Sequence, residues 1–277
     1  MSKKRQPAAF DRLAGNRDAI VTHTRNYAAH CVIPLHYHDR DQLVYATHGV
    51  MTVQTDEGSW VVPTHRGVWI PKGVAHTIAM SGAVAMRTLY LKPRMAKLLP
   101  RSCCVINISP LLKELIVEAC ATGALKNRVL AERHLADVIV DQLRIVQAVP
   151  LQLPGVVDPR AKRVAEALLA DPGNRQSLTQ LCKTSGASCR TIERIFLDET
   201  AMTIGKWRQQ LRLMHAMRLL GEGAKVTYAA QEAGYSAPSA FIAAFRKMLG
   251  TTPTLHFGRT ADGPPSPVRR SRALHHA

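Results

Sequence analysis

The chain has 277 residues, 46% of them apolar, and a formal net charge of +17. That length and apolar content fit two domains with ordinary cores and exclude global disorder, while the charge implies attraction to polyanions. The excess divides almost evenly between the two halves of the chain, so charge alone leaves DNA, RNA and acidic membrane surfaces open as partners.

Six cysteines (Cys31, Cys103, Cys104, Cys120, Cys182, Cys189) show no C-x-x-C spacing and read as reduced thiols. No apolar run reaches signal-peptide or membrane-span length, so the expectation is a soluble, cytoplasmic chain with no membrane partner.

In chain order, residues 1–25 are basic and weakly patterned and are expected to form a flexible arm. From residue 26 to 100 the signals are those of strands. "QLVYATHGVMTVQTDEGSWVVP" holds two β-rich runs about an Asp56-Glu57-Gly58 hairpin turn. "GVWIPKGVAHTIAM" adds a strand, a Pro-Lys-Gly turn and another strand, and "VAMRTLYLKP" one more. Strands with turns at this spacing predict a small antiparallel barrel or sandwich.

Residues 101–150 change character. Ser109 caps a helix with Pro110 at its first position, and Leu111, Leu112, Leu115, Ile116 and Ala119 mark its apolar face. A second helix is expected over about 129–148, with Leu135, Val138, Ile139 and Val146 along one stripe. This segment reads as coupling or dimerisation helices, followed by a Pro-rich linker at 151–159. Residues 160–257 are helical, and the Pro-rich basic stretch 258–277 reads as a disordered tail.

A short unit occurs twice within this helical region. Ser177 and Gln180 form a capping box, Gly186 supplies a turn, Ser188 caps the next helix, and Ile192, Ile195 and Phe196 form its buried face. Arg190, Glu193 and Arg194 share the opposite face, with Thr191 beside them. The second copy has Thr227 and Ser236 as expected caps, Gly234 as the turn, and Phe241 and Phe245 as the buried pair. Aligning Phe196 with Phe245 sets Ser239 opposite Arg190 and Ala243 opposite Arg194. Between the copies a helix capped by Thr203 carries Ile204, Trp207, Leu211, Met214 and Met217 at helical spacing over about 18 residues, roughly 27 Å. Each copy is a helix-turn-helix, and a strut of that length suits two adjacent major grooves about 34 Å apart.

These residues, "LCKTSGAS…TIERIF", "LRLMHAMRLL" and "AAQEAGYSAPSAFIAAFRKMLGTTP", resemble the DNA-binding domain of AraC/XylS-type transcriptional regulators over about Arg160–Phe257. The resemblance implies promoter DNA as partner and contacts from Ser188, Arg190, Thr191, Glu193 and Arg194 in the first unit. In the second it implies contacts from Ser236, Pro238, Ser239 and Arg246. Ala243 stands where many members carry Arg, so base readout is expected mainly from the first unit.

"HYHDRDQ" places His36 and His38 on one side of a strand, and "PKGVAH" ends at His76. H-x-H-x-x-x-Q followed by P-x-G-x-x-H resembles the two motifs of cupin barrels, with Gln42 where metal-binding members have Glu. Three neutral imidazoles can hold a divalent metal such as Zn or Ni, or can line a small-molecule pocket without metal; both readings stand. A cupin-like sensor ahead of this DNA-binding domain is a common arrangement of the family, in which a homodimer also follows from the resemblance. The reading is therefore an α+β, two-domain regulator, not an enzyme; the alternative is a metal-dependent cupin oxygenase or isomerase with a helical appendage, against which Gln42 and the lack of a general base both count.

Overall fold

The computed structural model describes residues 8–9, 18–93, 95, 99–144, 148–149 and 151–257. The β domain contains β1 (Ala8–Ala9), β2 (Ile20–Tyr27), β3 (Val32–Tyr37), β4 (Asp41–Thr55), β5 (Gly58–Val62), β6 (Arg66–Ile70), β7 (His76–Leu91) and β8 (Cys104–Asn107). Short strands β9 (Ala124–Leu125), β10 (Ala148–Val149) and β11 (Gln152–Pro154) join the same sheet from the segment that follows. Helices α1 (Pro110–Thr122) and α2 (Leu130–Arg144) lie within that segment. The C-terminal domain is α3 (Pro159–Ala170), α4 (Leu178–Cys182), α5 (Cys189–Thr200), α6 (Ile204–Gly221), α7 (Val226–Glu232), α8 (Pro238–Leu249) and α9 (Pro253–Phe257).

The main strand path is β1-β3-β7-β4-β6-β8-β10, with β2, β5, β9 and β11 pairing off it. Only the β1/β3 pair is parallel among the described strands. The β domain followed by two helix-turn-helix units on a long helix matches the sequence reading, but the described strands do not close into a ring. The sheet is branched, because β7 and β4 are long enough to carry several partners each. The two stretches read as separate strands, "VAHTIAM" and "VAMRTLYL", are one strand, in which Gly82 at φ 73° bends the chain without ending it. Facing it, Gly49 at φ 85° marks the register shifts in β4.

Several boundaries move. The arm expected to run to residue 25 ends earlier, since Ile20 already pairs with Leu91; residues 1–7 and 10–17 of that arm, and the tail expected at 258–277, lie outside the described residues. The expected linker is not free chain. Gln152–Pro154 pairs with β5, and its carbonyls accept from the C-terminal domain: Gln152 from Gln210 Nε2 at 2.5 Å and Pro154 from Trp207 Nε1 at 2.9 Å. On α1 the buried residues are Leu112, Ile116 and Ala119, while Leu111 points outward; on α2 they are Ala136, Ile139, Val140 and Leu143, while Val138 is exposed. Arg40 and Asp41, which stand between the motif residues His38 and Gln42, are buried: Arg40 donates to the Asp18 carbonyl at 3.0 Å and Asp41 accepts from Lys72 N at 2.9 Å.

Two cores organise the molecule. One joins Trp69, Leu89 and Leu91 of the sheet to Leu112, Ile116, Ile139 and Leu143. The other runs from Val53, Trp60 and Ile78 through Leu151 and Leu153 into Ile192, Phe196, Trp207, Met217, Phe241 and Phe245. Each such fully buried side chain contributes roughly 1.5–3 kcal/mol, so the second core ties the β domain firmly to the helices.

Candidate nucleic-acid interface and ligand pocket

The first unit is built around α4 and α5. Ser177 and Gln180 satisfy each other's backbone N–H in a capping box, as the sequence indicates. The turn is held from inside by the buried Ser185, whose Oγ donates to the Cys182 carbonyl at 2.7 Å and accepts from Ala187 N at 3.2 Å. Arg163 of α3 donates to the Ser185 carbonyl from Nε at 3.1 Å and Nη2 at 2.5 Å. Gly186 turns the chain at φ 76°, and Ser188 Oγ accepts from Thr191 N at 3.2 Å to start α5. Ile192, Ile195, Phe196 and Thr200 are buried. That leaves Ser188, Arg190, Glu193 and Arg194 exposed on the outer face, with Thr191 half-buried against Ser188.

The second unit follows the same plan with different ends. Gly234 turns at φ 75°, where a Cβ would lie 2.6 Å from the Gly173 carbonyl oxygen. Thr227 and Ser236 are not the caps. The N-cap of α7 is Lys225, and that of α8 is Ala237 with Pro238 at the first helical position; neither makes a side-chain cap bond. Proline removes one orphan donor and presets φ, so the helix starts without a serine. Phe241, Phe245 and Leu249 are buried, and Ser236, Pro238, Ser239, Ala243 and Arg246 are exposed.

Helix α6 joins the units, capped by Thr203 and 18 residues long. All five expected apolar residues are buried, together with Gln210, Leu213, Ala216 and Leu220. A feature not read from the sequence is the pair Arg208 and Arg212, whose guanidinium groups donate to the Asn174 carbonyl. One helical turn separates them, a spacing that could have been noticed, but nothing local identifies a distant loop carbonyl as acceptor.

In the β domain His36, His38 and His76 converge: one ring nitrogen from each lies within 4.8 Å of the others, and all three side chains are buried. His36 Nδ1 lies 2.7 Å from the Pro34 carbonyl and His76 Nδ1 3.0 Å from the Val74 carbonyl. A carbonyl can only accept, so both rings carry their proton on Nδ1 and present an unprotonated Nε2. Burial, followed by the neighbouring imidazoles, pushes the pKa of His38 down to about 3 and of His76 to about 4, and burial lowers that of His36. All three rings are neutral at pH 7. Gln42 lies on β4; its Nε2 donates to Tyr90 Oη at 3.4 Å, and the Tyr90 ring stands edge-on to His38 at 4.7 Å. Tyr90 was not read from the sequence, although Gln42 pairs with it across β4 and β7. Gln42 Oε1 and His76 Nε2 are buried with no hydrogen-bond partner among the described residues.

Residues 19–139 match a family model described as an AraC-like ligand binding domain, and residues 181–259 one described as a helix-turn-helix domain. The HTH-type transcriptional regulator NimR of Escherichia coli (strain K12) is 32% identical over 226 residues, which span 82% of this chain and 82% of NimR. The HTH-type transcriptional regulator RipA of Corynebacterium glutamicum is 33% identical over 102 residues, 36% of this chain and 31% of RipA. Among solved structures, ToxT of Vibrio cholerae with a bound unsaturated fatty acid aligns over 87% of this chain and 95% of its own, at 10% identity and a TM-score of 0.36.

Proposed function

The chain belongs to the AraC family of helix-turn-helix transcriptional regulators, and from that membership we propose how its two domains divide the work. It is a DNA-binding regulator with an N-terminal ligand-binding domain. In our reading α5 enters one major groove, with Arg190 and Arg194 donating to base edges and Glu193 between them, while Ser188 and Thr191 lie at the helix start against phosphate. Helix α8 enters the next groove on the same side of the duplex. There Ser236, Ser239 and Arg246 position the protein on phosphates, and Pro238 and Ala243 offer only apolar contact. The observation that carries this reading is the exposure of Arg190, Glu193 and Arg194 on the face opposite buried Ile192, Ile195 and Phe196. The test is titration of a duplex from upstream of the chain's own gene against a scrambled duplex at one fixed salt concentration. Preference for the promoter duplex supports the reading, and a ratio near one overturns it.

The imidazole cluster is proposed as the effector pocket. The donor set fits a borderline divalent cation such as Zn or Ni: three neutral rings, two with the tautomer set by backbone carbonyls, and a further unpartnered acceptor at Gln42 Oε1. When bound, such an ion supplies a Lewis-acidic centre that crosslinks the ligand-bearing segments. His36 is the next-to-last residue of β3, His38 follows the strand, and His76 opens β7, which packs against α6, so a ligand there bears on the strut between the two reading units. It switches DNA binding only if its affinity differs between arrangements of the domains. Metal analysis of protein purified without chelators, beside the His36→Ala/His38→Ala double variant, tests the pocket. Stoichiometric metal lost in the variant supports it, and metal retained by the variant contradicts it. Pairing of two copies is assigned to the outer face of α2, where Leu130 and Val138 are exposed; sedimentation of a Leu130→Glu/Val138→Glu variant tests it.

A further inference from the structure

The two cysteines that flank the turn of the first unit stand apart from everything assigned above. Cys182 is the last residue of α4 and is buried; Cys189 is the first residue of α5 and is half-buried. The Cys189 side chain lies against Cys182 and is one cause of the raised pKa of its thiol. Cys189 Sγ also lies 3.8 Å from the Leu178 carbonyl, one helical turn before Cys182. The turn between them is pinned by Ser185 and Arg163, so the two sulfurs are held as neighbours. We propose that Cys182 and Cys189 are a modification site, closed to an intramolecular disulfide by hydroperoxides, and that closure reports directly on the DNA-reading helix.

The chemistry balances with a hydroperoxide as oxidant. The more accessible Cys189 sulfur attacks the terminal peroxide oxygen; the O–O bond breaks, Cys189 becomes a sulfenic acid and water or an alcohol leaves. The Cys182 sulfur then attacks the sulfenic sulfur, the S–S bond forms, and the departing hydroxide takes the Cys182 proton as water. Two thiols lose two electrons and two protons, and the peroxide gains them. Burial pushes the Cys182 thiol up to about 12, so little thiolate is present at neutral pH and closure is the slower step.

A disulfide holds its sulfurs at about 2.05 Å, well inside any non-bonded contact between two thiols. Closing it draws the first residue of α5 toward α4, and with it the adjacent Arg190. The outcome is loss of base readout by at least about 10-fold, the scale of one well-formed side-chain contact to a base.

The experiment treats the full chain with hydrogen peroxide, blocks remaining thiols, digests with trypsin and in parallel measures operator affinity. Cleavage after Arg175, Lys183 and Arg190 places each cysteine on its own short peptide. The proposal requires a linked pair of these peptides two hydrogen masses below their sum, with a fall in DNA affinity that dithiothreitol reverses. Cys189→Ser and, separately, Cys182→Ala should bind DNA normally and lose the peroxide response. Unlinked peptides after oxidation of Cys189, full affinity in the linked protein, or a response that survives in both variants would each overturn it. The peptide readout does not depend on DNA binding, so failure of the disulfide and failure of the DNA model are separable.

Discussion

The imidazole of His256 stands edge to face against that of His65, ring centroids 5.5 Å apart, where the end of the DNA-binding domain meets the β domain. His65 is held at φ 68°, a left-handed conformation that a side chain adopts only where surrounding contacts enforce it. Next to it Arg66 Nη2 donates to the Leu249 carbonyl at 3.4 Å, closing the C-terminal end of α8. The two domains thus meet through a defined polar contact as well as a shared apolar core.

That contact is sensitive to acid. Burial, then the charges of His65 and Arg66, push the pKa of His256 down to about 4, with the Thr64 carbonyl opposing in part. The unfolded chain, near 6.5, binds the proton first, so stability is fully present above about pH 6.5 and is lost as pH falls toward 4. The loss from this one group is about 2–3 kcal/mol by pH 4.5. Urea denaturation at pH 7.5 and 4.5 should show the His256→Phe variant losing less than wild type by that amount. Parallel losses would contradict the assignment.

Gly221 ends α6 against the sheet, where an added Cβ would lie 2.5 Å from Val50 Cγ2 and 3.3 Å from the Ser81 carbonyl oxygen. Gly221→Ala therefore pushes the strut off β4. The expected cost is about 1–3 kcal/mol, read as a lower thermal midpoint, with faster proteolysis at the 151–159 segment. Gly223→Ala is the contrast: its Cβ would meet nothing within 4 Å, and its cost should come from its φ of 90° alone, without opening the domain contact.

The capping serines of the two units are not equivalent. Ser188→Ala removes the bond to Thr191 N and should cost about 1 kcal/mol of stability. Ser236→Ala removes no cap bond, because α8 begins on Ala237 and Pro238, and should be neutral within about 0.5 kcal/mol. Thermal denaturation without DNA distinguishes them.

The two reading helices should also differ in what they contribute. Arg190→Ala is expected to relax base preference at one position by about 1–3 kcal/mol. Arg246→Ala should weaken all duplexes alike and reduce the salt slope of binding by about one. Equal loss of information from both grooves in a binding-site selection would remove the asymmetry.

Much of this was legible in the sequence where the governing interactions are local. The capping box at Ser177, the Thr203 cap, the positive-φ glycines 186 and 234 and the buried stripe of α6 depend on neighbours a few residues away, and each is where periodicity and capping chemistry place it. The histidine pair one strand residue apart was visible for the same reason, and its third partner came from a motif. What escaped depends on tertiary packing. Ser236 lost its capping role because Pro238 already starts the helix, Arg40 and Asp41 became buried by loop carbonyl and amide partners, and the supposed linker found an unpaired edge at β5. The direction of Val138 and Leu111 outward was equally invisible, since an apolar residue beside a stripe looks the same whether it faces the core or solvent.

The central claim is that α6 holds two groove-entering helices at one fixed separation, and operator spacing measures this directly. Once a selected operator is in hand, about 5 base pairs, half a helical turn, are inserted between its two recognition boxes and affinity is measured at constant salt. A rigid strut predicts a fall toward non-specific binding, with partial recovery excluded even at a full-turn insertion of about 10 base pairs because the strut cannot lengthen. Affinity unchanged by the half-turn insertion would mean that the second helix-turn-helix never enters DNA beside the first.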